Sequence, residues 1–303
     1  MKSFPRRSRC IAVVAILCTA ALLVGCSATA PAQQIPPSPS STPFEHIHAL
    51  TVDARTGNLV AATHEGIYDV SIASGGAATF TGPRAGLDFD PMGYVVVAGD
   101  IAYASGHPGP TTPRSFGSPN LGLIASDDNG MTWRNVSRTG QTDFHALAVG
   151  PPSGPGGAAH IYGIDGGTSA IQRSSDGGVT WADGATLLAR DLLADRTTPG
   201  RLYATTEAGV VVSEDDAVTF RVDPTAPALY LLGTDALKQQ LVGVDTGGSI
   251  WRRTGGTWVR GGAVTGPVQA FTSHDGRVYV ADRRGIAFTD DDGATWTVLI
   301  STK

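Results

Sequence analysis

SDDNGMTW (Ser126–Trp133), SSDGGVTW (Ser174–Trp181) and TDDDGATW (Thr289–Trp296) are three copies of one octad, Ser/Thr-x-Asp-x-Gly-x-Thr-Trp. Each residue type has a mechanical use in a tight turn. The Asp carboxylate accepts backbone N–H groups, Gly supplies a position with positive φ, and Trp buries a large ring. A degenerate copy, SEDDAVTF (Ser213–Phe220), has Ala217 for Gly and Phe220 for Trp. A weaker one, WRRTGGTW (Trp251–Trp258), keeps only Gly255, Thr257 and Trp258, and a further remnant ends at Thr79-Phe80.

The aromatic markers stand at 80, 133, 181, 220, 258 and 296, at intervals of 53, 48, 39, 38 and 38. Short strands surround each marker. The last unit reads VQAFTS, RVYVAD, GIAFTD and TWTVLI; the fourth reads RDLLAD, RLYATT, GVVVSE and TFRVD. Four short strands per ~40 residues is the pattern of a β-propeller. The expected fold is therefore all-β: a single six-bladed propeller of four-stranded blades over residues 44–303. Composition agrees. Gly is abundant, at 39 of 303 residues, and charged residues make up only 16%, which argues against helical bundles. No N-terminal strand is evident to complete the last blade, so closure would rest on packing of blade 6 against blade 1.

The octad resembles the Asp-box, or BNR, repeat of sialidases, sortilin-type receptors and photosystem assembly factors. The resemblance implies that it joins the third and fourth strands of each blade, away from the active face. It also raises a sialidase-like glycoside hydrolase as one functional class, with Tyr230 and Glu207 as catalytic candidates and Arg84, Arg190 and Arg284 as carboxylate-gripping candidates. The Arg-Ile-Pro motif of sialidases is absent, and His46-Ile47-His48 stands in that region, so the expectation leans away from an enzyme.

The N-terminus reads as an export signal. Lys2, Arg6, Arg7 and Arg9 precede a 14-residue apolar run, 11–24, which is shorter than the ~20 residues of a membrane span. Leu23-Val24-Gly25-Cys26 resembles the bacterial lipobox, implying removal of 1–25 and lipidation of Cys26. Residues 26–43 then hold the lipidated Cys and a Pro/Ser-rich tether. The expected location is extracytoplasmic, anchored to the bacterial membrane as a lipoprotein. The three Cys fall at 10, 18 and 26, which excludes disulfides and Cys-ligated metals from the body. Removing 1–25 leaves 18 basic and 27 acidic residues, net −9. That offers no basic footprint for nucleic acid, and a monomer is expected.

Let strands a to d run outward from the channel, with the start of a and the b–c loop on the top face. His46, His48, His64, His107 and His145 then share the top of three consecutive blades, while His160 and His274 map to the bottom. Aligning HIHALTV (46–52) with DFHALAV (143–149) sets His48 level with His145 and His46 level with Asp143. Extending the register gives a ring of His48, Met92, His145, Asp191, Tyr230 and Ala270. The five histidines are the candidate metal ligands, with Met92, Asp143, Asp191, Tyr230 and Arg114 as ligand-binding candidates. Such donors suit a divalent or copper ion. A small organic or glycan ligand without metal and hydrogen-bonded polar lining of a wet channel are the alternatives at this site, and a scaffold or assembly factor that binds another envelope protein is the third functional class. Two insertions remain. His107–Asn120, on the top, reads as a lid whose removal over Thr111–Ser118 would spare folding. Pro151–Ala159, on the bottom, reads as a spacer.

Overall fold

The computed structural model describes Phe44 and residues 46–301, apart from 74–77, 98–99, 169 and 236. The signal segment, Cys26 and the tether lie outside the described residues. No helix among the described residues is long and apolar enough to cross a membrane.

Six four-stranded antiparallel sheets form in strict chain order, each from four consecutive strands. The inner strands are Ile47–Val52, Asp90–Val96, Phe144–Gly150, Ala189–Ala194, Leu229–Asp235 and Ala270–His274. They pack on one another around a central channel. Strands b are nearly continuous apolar runs, as fully covered strands must be; every residue of Leu59–Thr63 is buried. Strands d are the most exposed of the four, as in Arg221–Val222. The protein is a six-bladed β-propeller.

The core is divided into six apolar clusters, one at each blade interface. Each fully buried Leu, Ile or Val contributes ~1.5–3 kcal/mol, so no single interface carries the ring. Closure is achieved without strand exchange. Ile47, Leu50 and Leu59 of blade 1 pack with Tyr279, Ile286 and Ile300 of blade 6, and the Ile47 N–H donates to Gln269 Oε1 at 2.8 Å.

The octads form the c–d turns with one repeated geometry. In blade 3, Asp176 Oδ1 accepts the Thr180 N–H at 2.9 Å, and Ser174 Oγ accepts the Gly178 N–H at 2.9 Å. Blades 2, 4 and 6 repeat both bonds. The terminal aromatic turns toward the preceding blade: Trp181 Nε1 donates to Ser137 Oγ of blade 2 at 2.9 Å. Blade 5 departs from this geometry. There, strands c and d pair Thr254 with Thr257 across Gly255-Gly256, both at positive φ. A two-residue hairpin has replaced the octad turn, and only Trp258 keeps its apolar contact with blade 4.

Candidate functional site: a histidine–aspartate cluster at the channel mouth

Strand a begins with an irregularity in five of the six blades. In blades 1 to 5 the a–b register slips by one residue near the top of the strand. The extra residue of such a bulge leaves the ladder and is re-aimed, which frees side chains such as His48 for the channel. The channel encloses about 240 Å³ and is lined by residues including His48, Met92, His145, Arg190, Asp191 and Gln269.

At its mouth, His48 Nε2 lies 3.0 Å from Asp90 Oδ1, and His64 Nδ1 lies 2.8 Å from Asp90 Oδ2. The His48, His64 and Asp90 ligand atoms are all within 4.8 Å of one another. His46 completes a triangle of rings, with centroids 6.4 Å from both His48 and His64. The blade 1 ladder fixes this grouping, since the His64 N–H donates to the His46 carbonyl. The Asp90 side chain is 11% exposed whereas that of His64 is 67% exposed, so the cluster has a buried floor and an open side. Burial alone would raise the Asp90 pKa. The surrounding histidines, His48 foremost and then His64 and His107, outweigh it and hold the carboxyl below its ordinary range.

Next to it, His107 Nε2 and His145 Nε2 approach Asp143 Oδ2 at 3.3 and 2.7 Å. His107 Nδ1 faces Asp90 Oδ2 at 3.7 Å. His107 thus stands between the two carboxylates. All five sequence-selected histidines and Asp143 are brought together.

Asp90 is the member that the sequence reading missed, because the register was matched on Met92. Buried Ile47, Phe89 and Phe144 immediately precede His48, Asp90 and His145, and alignment on those apolar residues exposes the position. Asp90 pairs with His107 before the strand slips across Pro91-Met92. Gly106 permits the close approach, since a Cβ there would lie 1.9 Å from the Asp90 carbonyl oxygen.

Other candidates fall elsewhere. Asp191 lines the channel, but its carboxylate is a staple between blades, accepting the N–H groups of Leu192 and Leu232 at 2.9 Å each. Burial pushes its pKa up to about 6. Tyr230 leaves the ring. Unpaired at the blade 5 bulge, it sits under the Arg190 guanidinium, whose Nε donates to its hydroxyl at 2.8 Å. With Glu207 it lines a separate cleft of about 630 Å³ between blades 4 and 5. The arginines are held in three settings. Arg84 pairs with Asp69, Arg190 stacks on Tyr230, and Arg284 bonds Asp282 and covers Trp296. Arg114 is exposed and, among the described residues, has no acid partner. The insertion around it is not a loose flap. Asp88 accepts the Thr111 N–H at 2.9 Å, and Phe116 packs with Leu87, Phe89, Leu121 and Trp133.

No family model matches the sequence, and no curated protein matches it. Solved structures resemble the fold. A chain of the nidogen/laminin complex aligns at 15% identity and a TM-score of 0.55, covering 78% of this chain and 89% of that one. The extracellular domain of a hybrid two-component system from B. thetaiotaomicron aligns at 10% identity and a TM-score of 0.50, covering 84% and 33%. The GH74 xyloglucanase from Xanthomonas campestris aligns at 16% identity and a TM-score of 0.46, covering 84% and 45%. This chain therefore spans about a third and less than half, respectively, of the last two proteins. At these identities the likeness is one of fold, and function must be argued from the site.

Proposed function

We propose that the protein is a lipid-anchored, extracytoplasmic Asp-box propeller that binds a transition-metal ion at the channel mouth. His48, His64 and Asp90 are the ligands, His46 stands at the open side, and His107, Asp143 and His145 form the adjoining wall. The observation that carries the reading concerns two atoms. His48 Nε2 and Asp90 Oδ1 are buried, 3.0 Å apart, and neither makes a hydrogen bond of acceptable geometry. Buried polar atoms are ordinarily paired by directed bonds; here the two meet only as an ion pair, and with His64 their candidate ligand atoms lie within 4.8 Å of one another, close enough to share one ion. Two imidazoles and a carboxylate with a solvent-facing fourth position suit zinc or copper(II). The octad turns, with one geometry in four blades, support the Asp-box reading, and Cys26 in its lipobox-like setting supports the anchor.

The test is equilibrium dialysis of the folded body against zinc and against copper, followed by metal analysis. Retention of one equivalent by the wild type, lost in Asp90→Ala and His48→Ala, is the expected result. No stoichiometric retention of either metal overturns the proposal.

A second reading, a sialidase-like hydrolase, draws on the placement of Tyr230 and Glu207 along one cleft. It requires hydrolysis of a fluorogenic sialoside that Tyr230→Phe abolishes.

A further inference from the structure

On the opposite face, the a–b turn of blade 3 and the c–d turn of blade 4 bring together three side chains far apart in sequence. Ser153 Oγ lies 2.7 Å from His160 Nε2, and His160 Nδ1 lies 2.8 Å from Asp216 Oδ1. The order of contacts is hydroxyl, imidazole, carboxylate, with each imidazole nitrogen given one partner. We propose that Ser153, His160 and Asp216 form a nucleophilic serine site that transfers acyl groups from carboxylic esters.

The carboxylate end is firmly built. Asp216 also accepts the Tyr162 hydroxyl at 2.6 Å and Arg173 NH1 at 3.0 Å. Its backbone, at φ 63°, is held by a bond from its N–H to the Gly200 carbonyl. His160 is buried with its ring stacked on Tyr162, so the imidazole has one orientation. Facing an acceptor-only carboxylate, Nδ1 carries the proton and Nε2 presents its lone pair to the serine. Ser153, by contrast, is exposed on the loop 151–159. A histidine that needed only burial would find its second partner on a neighbouring strand; here that partner is a solvent-facing hydroxyl. A Cβ on Gly154, the next residue, would meet nothing within 4 Å, so the nucleophile is approachable. The Gly154 N–H donates to no acceptor among the described residues and follows the serine directly in the chain, where it could serve a developing oxyanion.

The loop also walls a cavity of about 380 Å³ through Pro151, Pro152 and Ala159, although Ser153, His160 and Asp216 do not line it. Pro151, Pro152 and Ala159 are near neighbours of Ser153 and His160 in the chain, so the cavity and the nucleophile share a loop.

In the proposed step, Ser153 Oγ attacks the ester carbonyl carbon and its proton passes to His160 Nε2. The C–O bond to the alcohol breaks, and the alcohol leaves with that proton. Water then adds to the acyl-serine, giving up a proton to His160. The acid departs and Ser153 recovers its hydroxyl. Asp216 acts as a positioning residue.

The test treats the whole folded body with a fluorophosphonate probe and, separately, with p-nitrophenyl butyrate. With the probe, the P–O bond to Ser153 forms as P–F breaks. The expected result is one adduct, mapped to Ser153, and turnover of the ester. Ser153→Ala, a change in an exposed loop, removes both while leaving the melting temperature unchanged. His160→Gln lowers the labelling rate by about 100-fold or more, and Asp216→Asn shifts the pH profile as well as the rate. Absence of a Ser153 adduct, or ester turnover equal in wild type and Ser153→Ala, overturns the proposal.

Discussion

His48 Nε2 and Asp90 Oδ1 face each other at 3.0 Å, from strands a of neighbouring blades, without a properly directed hydrogen bond. This arrangement spans the blade 1–2 interface, so an ion bound there would cross-link two blades. A ligand that binds only the folded state at 100 times its Kd adds ~2.7 kcal/mol. For a body of this size that is a rise of roughly 5–10 °C in melting temperature. Zinc or copper is expected to produce such a rise in the wild type and none in Asp90→Ala, as read by differential scanning fluorimetry.

Blade number, strand order and octad turns were legible in the sequence because each depends on local chemistry: alternation, turn residues and one buried aromatic per repeat. The site was half legible. The histidines stand out by type, but Asp90 hid behind the Pro91 bulge, where a one-residue slip moves a side chain to another level. Tyr230 misled for the same reason, since its bulge hands it to Arg190 rather than the channel. The Ser153–His160–Asp216 contact could not be read at all. It joins loops of two blades, and only the closed ring brings residues 153 and 216 together.

Of the octad glycines, Gly178 has the nearest neighbour. It has φ +89°, and a Cβ there would lie 2.2 Å from Leu123 Cδ2 of the preceding blade. A left-handed backbone costs a non-Gly residue ~1–2 kcal/mol, and overpacking adds ~1–3 kcal/mol. Gly178→Ala should therefore lose roughly 2–5 kcal/mol in denaturant titration. Gly177→Ala, also at positive φ but with only an ordinary contact at 3.7 Å, should lose only the first part.

The octad aspartates make the protein acid-sensitive. Asp176, Asp215 and Asp291 are lowered to about 2, chiefly by the hydroxyl of the Thr four residues on. A depressed carboxyl contributes stability that is present above the unfolded value of ~3.9 and lost as pH falls through the folded one. Melting temperature should thus drop between about pH 4 and 2, and drop less in Asp176→Asn, as followed by circular dichroism.

Asp191 acts in the opposite sense, since burial raises it to about 6. Its contribution is full below ~3.9 and is lost as pH rises through 6. Between pH 4 and 6, Asp191→Asn should become progressively more stable relative to the wild type, whatever its offset from losing one acceptor. A constant difference across that range would contradict the assignment.

Phe116 decides whether the blade 2 insertion is a flap or part of the fold. Its ring lies among Leu87, Phe89, Leu121, Ile124 and Trp133, while Thr111 is tied to Asp88 and Asn135 Nδ2 donates to the Ser115 carbonyl at 2.6 Å. Removing Thr111–Ser118 therefore withdraws an apolar anchor and leaves Asp88 and Asn135 without these partners. The expectation that the deletion spares folding gives way to a different one. A half-buried Phe truncated to Ala costs somewhat less than the ~3–5 kcal/mol of a fully buried one. Phe116→Ala should accordingly lose about 2–3 kcal/mol, and the deletion should lose at least as much. If the loop also governs access to the His107 side of the histidine–aspartate cluster, the two variants should differ in another measurement. Zinc should dissociate faster from the deletion than from Phe116→Ala when both are compared at equal folded fraction. Equal rates would leave the insertion with a packing role alone.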